Sequence, residues 1–292
     1  MKHKKSVAGF LKEQGEMYGK KPGSALLMLL VGGSALITFG ALFCLMGYVF
    51  WKGIFHLKPS LFAITYTTEN ASLFPALINT LEMIGLALVV AIPLGVGAAI
   101  YLVEYAKKDS RFVDWIRLTT ETLTGIPSII YGLFGMLFFV SYLDWGFSLL
   151  SGSCTLSIMV LPLILRTTEE ALKSVPDAYR EGSFGLGAGK IRTIFAVILP
   201  SAGPGILSGI ILATGRIVGE TAALIYTAGT VPHIAKGILH SGRTLAVHMY
   251  SLASEGLYMD QAYATAVVLL VFVLGINSLS VFVAKKLMKD RG

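Results

Sequence analysis

Charge is scarce in this sequence: 14% of its 292 residues are Asp, Glu, Lys or Arg, against 54% hydrophobic residues. A soluble globular domain carries about 25% charged residues, so this composition excludes one, and a mean hydropathy of +0.72 calls for a lipid solvent. Cysteine is nearly missing. Cys44 and Cys154 both lie inside apolar runs, where the thiol behaves as a small hydrophobe; they indicate no redox compartment and are not read as ligands. The chain has no His-Glu-x-x-His, no Gly-x-Ser-x-Gly and no cysteine pair at zinc spacing, which removes the usual signals of hydrolytic and metal chemistry. Residues 185–191, GLGAGKI, are a near miss for a phosphate loop. That motif demands Gly where Phe184 stands and Ser or Thr where Ile191 stands, so this chain is expected to bind no ATP, no cofactor and no metal.

What the sequence does have is long apolar runs. Six of them, at about 25–51, 75–103, 125–143, 154–172, 200–229 and 262–284, approach or exceed the roughly 20 residues that cross a bilayer. The first begins too late and runs too long for a cleaved leader. The expected fold is therefore an all-α integral membrane protein with six transmembrane helices, an N-terminal tail at 1–24, a polar loop at 173–199, a second polar loop at 230–260 and a C-terminal tail at 285–292.

The net charge of +7 could suggest nucleic acid, but its distribution points to membrane orientation instead. With the N-terminus inside, eighteen of the 24 Lys and Arg residues fall on inner segments and four on outer ones. This asymmetry puts both termini and the 173–199 loop in the cytoplasm. The other two, Arg166 and Arg216, stand within spans. Ionisable groups there are costly, and persist in pairs or along a polar pathway. Arg166 and Glu169 are three residues apart, and Arg216 and Glu220 four apart, so each pair can meet on one helix face. Arginine suits an oxyanion, since its planar fork donates parallel hydrogen bonds and stays charged. Arg166 has a second reading, a side chain reaching to the cytoplasmic interface. Gly205 with Gly209, and Gly215 with Gly219, have the spacing of close helix packing. His233, His240 and His248 share an outer loop and are expected at the surface.

The stretch 180–200, REGSFGLGAGKIRTIFAVILP, carries the most specific pattern. After Arg180 come Glu181, Gly182 and Ser183, then three residues, Gly187, nine residues, and Val197-Ile198 leading to Leu199 and Pro200. The small residues allow close backbone approach and Gly187 allows a bend. This spacing resembles the E-A-A-x3-G-x9-I-x-L-P loop of ABC importer permeases, with Gly and Ser in place of the two alanines. The resemblance implies a type I importer permease fold, in which this loop forms a short helix that docks on an ATP-binding ABC subunit.

Further stretches resemble the phosphate-specific branch of those permeases: GIPSIIYGLFGM, LRTTEEALKSVPDAYREG, LPSAGPGILSGIILATGRIVGETAAL and IYTAG. The form GETA resembles the PstA type more than the PstC type. The resemblance implies a bacterial inner-membrane assembly of this chain with a second, PstC-type permease, two copies of the ATPase subunit and an extracytoplasmic phosphate-binding protein, in contact with lipid and with no nucleic acid. Two alternatives stay open: the same architecture importing another oxyanion such as molybdate or sulfate, or an ion-coupled carrier that needs no ATPase. The second has no use for a docking loop.

Overall fold

The structure, a computed structural model, describes residues 22–107 and 110–289. Most of the expected tails, 1–24 and 285–292, lies outside the described residues. Every regular element among the described residues is helical. Besides a 3-10 turn at Pro59–Phe62, the α-helices in chain order are α1 (Pro22–Ile54), α2 (Phe74–Ile100), α3 (Arg111–Thr124), α4 (Ser128–Gly135), α5 (Leu149–Lys173), α6 (Asp177–Gly185), α7 (Lys190–Thr193), α8 (Leu199–Gly219), α9 (Ala222–Ile225), α10 (Leu245–Glu255) and α11 (Met259–Lys289). The chain divides into two compact units, Met1–Trp51 and Lys52–Gly292. The first holds most of α1, whose apolar run begins at Leu26. Everything that follows concerns the second.

Widened π turns extend α2 at Tyr101–Tyr105 and α4 at Met136–Tyr142, and a third, Ile194–Ile198, joins α7 to α8. Counting these extensions, Leu26–Ile54, Phe74–Tyr105, Leu149–Lys173, Lys190–Gly219 and Met259–Phe282 are each long and apolar enough to cross a membrane. The third expected span differs. Residues 128–142 alone reach only about 22 Å at 1.5 Å per residue, short of a hydrocarbon core of about 30 Å. They form a pair with α3, bent by 101°, that makes a sixth span only as a broken one. The break has a local cause: Pro127 drives Ile126 out of the helical region.

The fifth span also differs from the sequence reading, running from Lys190 to Gly219 instead of from 200 to 229. Leu199-Pro200 does not start it. Pro200 lacks an N–H and its ring would strike the carbonyl of Ala196 in a regular helix; the π turn immediately before it opens the helix at that point and lets the span continue.

The core is built by α2, α5 and α8. Met83 and Ala87 of α2 meet Leu156, Met159 and Val160 of α5, and Ser157 Oγ donates to the Ala87 carbonyl at 3.0 Å. Polar glue of this kind suits helices that meet in lipid. On the other side of α5, α8 approaches so closely that Ala171 leaves no room for a Cβ at Gly205, nor Thr167 at Gly209. A Cβ at Gly215 or Gly219 would meet no atom within 4 Å, so the second small-residue pair does not pack against another described helix of this chain.

The loop after α9 is pinned to the first turns of α2. Asn79 Nδ2 donates to the carbonyls of His233 (3.0 Å) and Arg243 (3.2 Å), its Oδ1 accepts from Ala235 N, and Thr80 Oγ1 accepts from Leu245 N at 2.8 Å. This segment is not all loop, since Thr244 caps α10 and Gly256 ends it at φ 72°. His233 and His240 are exposed. His248 is a correction: its helix turns it inward, where it is 0% exposed, with Nε2 3.2 Å from the Ala71 carbonyl.

Candidate functional site

Two places carry the residues singled out by the sequence. One is the end of α2 that bears its π turn; the other is where the helix breaks meet.

At the first, α5 stops at Lys173, and Pro176 starts α6 with Asp177 in its first turn, where a carboxylate favours the helix dipole. No residue of α6 is buried. Glu181 and Gly182 are exposed and Ser183 is half-buried. Tyr179, Phe184 and Leu186 are also exposed, Leu186 to 91%. A short helix that buries nothing of its own against the bundle is held by its ends. Its C-terminal end is a Schellman turn: Ala188 N donates to Ser183 O, Gly187 N donates to Phe184 O, and Gly187 takes φ +80°. The hydroxyls of Ser183 and Thr193 lie 2.8 Å apart and tie α6 to α7.

Its N-terminal end is held by Arg180. Nε and Nη2 donate to Glu104 Oε1 (3.1 and 2.8 Å), Nη1 to Asp177 Oδ1 (3.1 Å) and Val175 O (3.0 Å), and Nη2 also to Leu172 O (3.1 Å). The arginine that the motif placed at a docking surface therefore faces inward. Lys190 completes the tie, with Nζ 4.6 Å from the centre of the Tyr105 ring. Glu104 and Tyr105 belong to the π turn of α2 and lie just past the span read from the sequence at 75–103, which gave them no role.

The pairing expected within α5 is not formed. Arg166 pairs with Glu170 at 3.3 Å, both well exposed. Glu169 instead accepts from Arg117 of α3 (2.8 Å to Nη2) and from Lys173 (2.6 Å). A carboxylate at nearly full burial gains more from two cations than from one, and α3, folded back by the break, brings the second within reach. Arg166 and Glu169 still line one recess, together with Arg117, Glu121 and Lys173.

At the second place, α8 ends at Gly219 and the backbone turns extended at Glu220, so Arg216 and Glu220 do not share a helix face. Glu220 Oε1 instead accepts from Ala223 N at 3.1 Å and caps α9. The break between α3 and α4 comes to the same place: the backbone of Ala223 fills the space a Cβ would need at Gly132. Tyr131 OH bridges that break by donating to the Leu123 carbonyl at 2.7 Å, and Tyr131 lies within the field of Arg216. Arg216 is half-buried, and among the described residues it makes no ion pair. A guanidinium without a carboxylate, beside two interrupted helices and the open space at Gly215 and Gly219, is suited to meet an anion.

Residues 91–289 match the family described as binding-protein-dependent transport system inner membrane component. The chain is 33% identical over 280 residues to the probable ABC transporter permease protein YqgI of Bacillus subtilis, covering 87% of this chain and 93% of that protein. It is 32% identical over 264 residues to the phosphate transport system permease protein PstA of Haemophilus influenzae, covering 89% of this chain and 93% of that one. Among solved structures, a chain of a bacterial ABC transporter involved in the import of the acidic polysaccharide alginate superposes with a TM-score of 0.66 at 15% identity, over 90% of this chain and 97% of its own.

Proposed function

The chain belongs to the family of binding-protein-dependent transport system inner membrane components, and from that premise we propose that it is the membrane-spanning permease subunit of an ATP-driven importer and forms, with a second permease, the pathway for inorganic phosphate. Its architecture is that of a type I ABC importer permease, and its place is the bacterial inner membrane, as a multi-pass protein. ATP hydrolysis belongs to a separate subunit that docks on α6, and an extracytoplasmic binding protein delivers the cargo. The second permease is of the PstC type. Phosphate as the cargo is supported by a relative named phosphate transport system permease protein PstA, matched over 93% of its length.

On the chain itself the reading is carried by the guanidinium of Arg216 beside the helix breaks, which makes no ion pair among the described residues. In this reading Arg216 receives the anion as it leaves water. Glu220 holds α9 in place, and Arg166 and Glu169 stand nearer the docking end of the pathway. The exposed turn of α6 at Glu181 and Gly182 meets the ATPase, with Ser183 tying it to α7; Gly187 sets the turn behind it, and Leu199-Pro200 marks where the span resumes regular form. Both termini lie in the cytoplasm.

The test is uptake of labelled phosphate into vesicles holding the assembled transporter, in competition with sulfate and molybdate. Arg216→Gln is expected to lower uptake by about tenfold or more, on the order of one lost charge-assisted contact, while the ATPase subunit still co-purifies. Unchanged uptake in that variant would remove Arg216 from the pathway, and preferential competition by molybdate or sulfate would change the cargo.

A further inference from the structure

The tie at the N-terminal end of α6 is stronger than a docking role asks for. The Arg180 side chain is 16% exposed and that of Glu104 is 9% exposed. The guanidinium makes five hydrogen bonds, which is its full complement of N–H donors. Those bonds reach three elements: the π turn of α2 through Glu104, the C-terminal carbonyl of Leu172 on α5, and Asp177 on α6 itself. Lys190 over Tyr105 adds a second link to the same π turn.

The other route from α6 into the bundle runs through Gly187, a left-handed residue with no neighbour within 4 Å of a Cβ, then four residues of α7 and another π turn. The side-chain bond from α6 to α7 on this route is the neutral pair Ser183–Thr193, and Lys190 of α7 leads back to the same π turn of α2 through Tyr105. Charge-assisted bonds are about twice as strong as neutral ones, and a guanidinium only 16% exposed loses much of its compensation when it leaves its acceptors. A push on α6 is therefore delivered first to α2.

The π turn of α2 has a part in this. Its extra residue changes the facing of the last turn, and Glu104 on that turn reaches Arg180, which lies 76 positions along the chain.

We propose that Arg180 and Glu104 are a positioning pair that makes α6, the end of α5 and the last turn of α2 one rigid body, so that displacement of α6 enters the membrane through α2. This rests on the reading of α6 as the docking element.

The test uses the full chain with Cys44 and Cys154 replaced by Ser, assembled with its ATPase, second permease and binding protein in vesicles. It measures phosphate taken up per ATP hydrolysed. In the pair Glu104→Cys with Arg180→Cys, that ratio is expected to fall about tenfold, within the range of ordinary coupling energies, and to recover when the two thiols are bridged by a short bismaleimide. Recovery on bridging cannot come from a folding defect. An unbridged pair with normal coupling would overturn the proposal, and so would a bridged pair that hydrolyses ATP without uptake, since α6 would then have to move against α2. If the cysteine pair fails to assemble, Arg180→Lys and Glu104→Gln serve in its place. Each is expected to keep ATPase association while lowering the ratio, and an unchanged ratio in both sinks the proposal. Absence of ATPase association or of phosphate uptake in the unmodified chain would refute the functional reading instead.

Discussion

Glu169 sits where several cations compete for one carboxylate. Spacing along α5 favours Arg166, three residues away, yet the oxygen is taken by Lys173 on the same helix and Arg117 on α3. Helix periodicity fixes which neighbours a side chain can reach, but not which one a separate element will bring. His248 gives the same lesson with the opposite sign: a histidine in a polar loop looked exposed, and a turn of α10 buried it. Its pKa is pushed from the usual 6.5 down to about 3, first by burial and then by the charge of Arg243. Arg243 itself is buried and stacked over Tyr66, whose ring edge also meets the imidazole. The folded protein thus takes up this proton only near pH 3, whereas the unfolded chain takes it up near 6.5. The stability it contributes is fully present above pH 6.5 and is lost as pH falls toward 3. Between pH 7 and pH 5 the loss is about 2 kcal/mol, at about 1.36 kcal/mol per pH unit below 6.5. Thermal unfolding in detergent at the two pH values should show it, and His248→Gln, which cannot take the proton, should flatten that part of the slope.

Among elements, the one most legible in the sequence is the stretch around α6. The small residues after Glu181 and the glycine at position 187 were read as a bend between two helical pieces, and the Schellman turn with φ +80° is that bend. A side chain with a branched Cβ has space there but the wrong backbone, at a cost of about 1–2 kcal/mol. Gly187→Val is expected to reduce co-purification of the ATPase subunit severalfold, while Gly203→Ala, on α8 in open space, leaves it unchanged. Equal retention in both would show that the turn is not required for docking. The π turns were not legible, because no residue pattern announces an extra residue in a helix; only Leu199-Pro200 hinted at one. The break between α3 and α4 did have a signal in Gly125-Ile126-Pro127. Reading by hydropathy took Gly125 as the start of a span, since α3 before it, RFVDWIRLTTETLT, is too polar to read as part of one.

For the whole molecule, run length and charge asymmetry are enough to place an all-helical chain in a membrane, because both are read from residue order along the chain and need no knowledge of contacts. They cannot say which spans are whole. Orientation is open to direct measurement. In a chain with Cys44 and Cys154 replaced by Ser, a thiol at Leu186→Cys, a position 91% exposed, should react with a membrane-impermeant maleimide in inverted vesicles and resist it in intact cells. Labelling of intact cells would reverse the topology and take α6 out of reach of any ATPase.

The span that begins with Phe74 and ends with Tyr105 is 32 residues long, about 48 Å as a helix. Near one tip Asn79 and Thr80 grip the 233–245 segment; at the other Glu104 holds Arg180 of α6 and Tyr105 holds Lys190 of α7. Such a pushrod has no preferred direction of thrust. On the proposed reading of α6 as the docking element, thermodynamic reciprocity makes a visitor pressing on the gripped loop from one side of the bilayer bias the motor on the other, and the arrival of cargo and the firing of the engine become two readings of a single mechanical displacement.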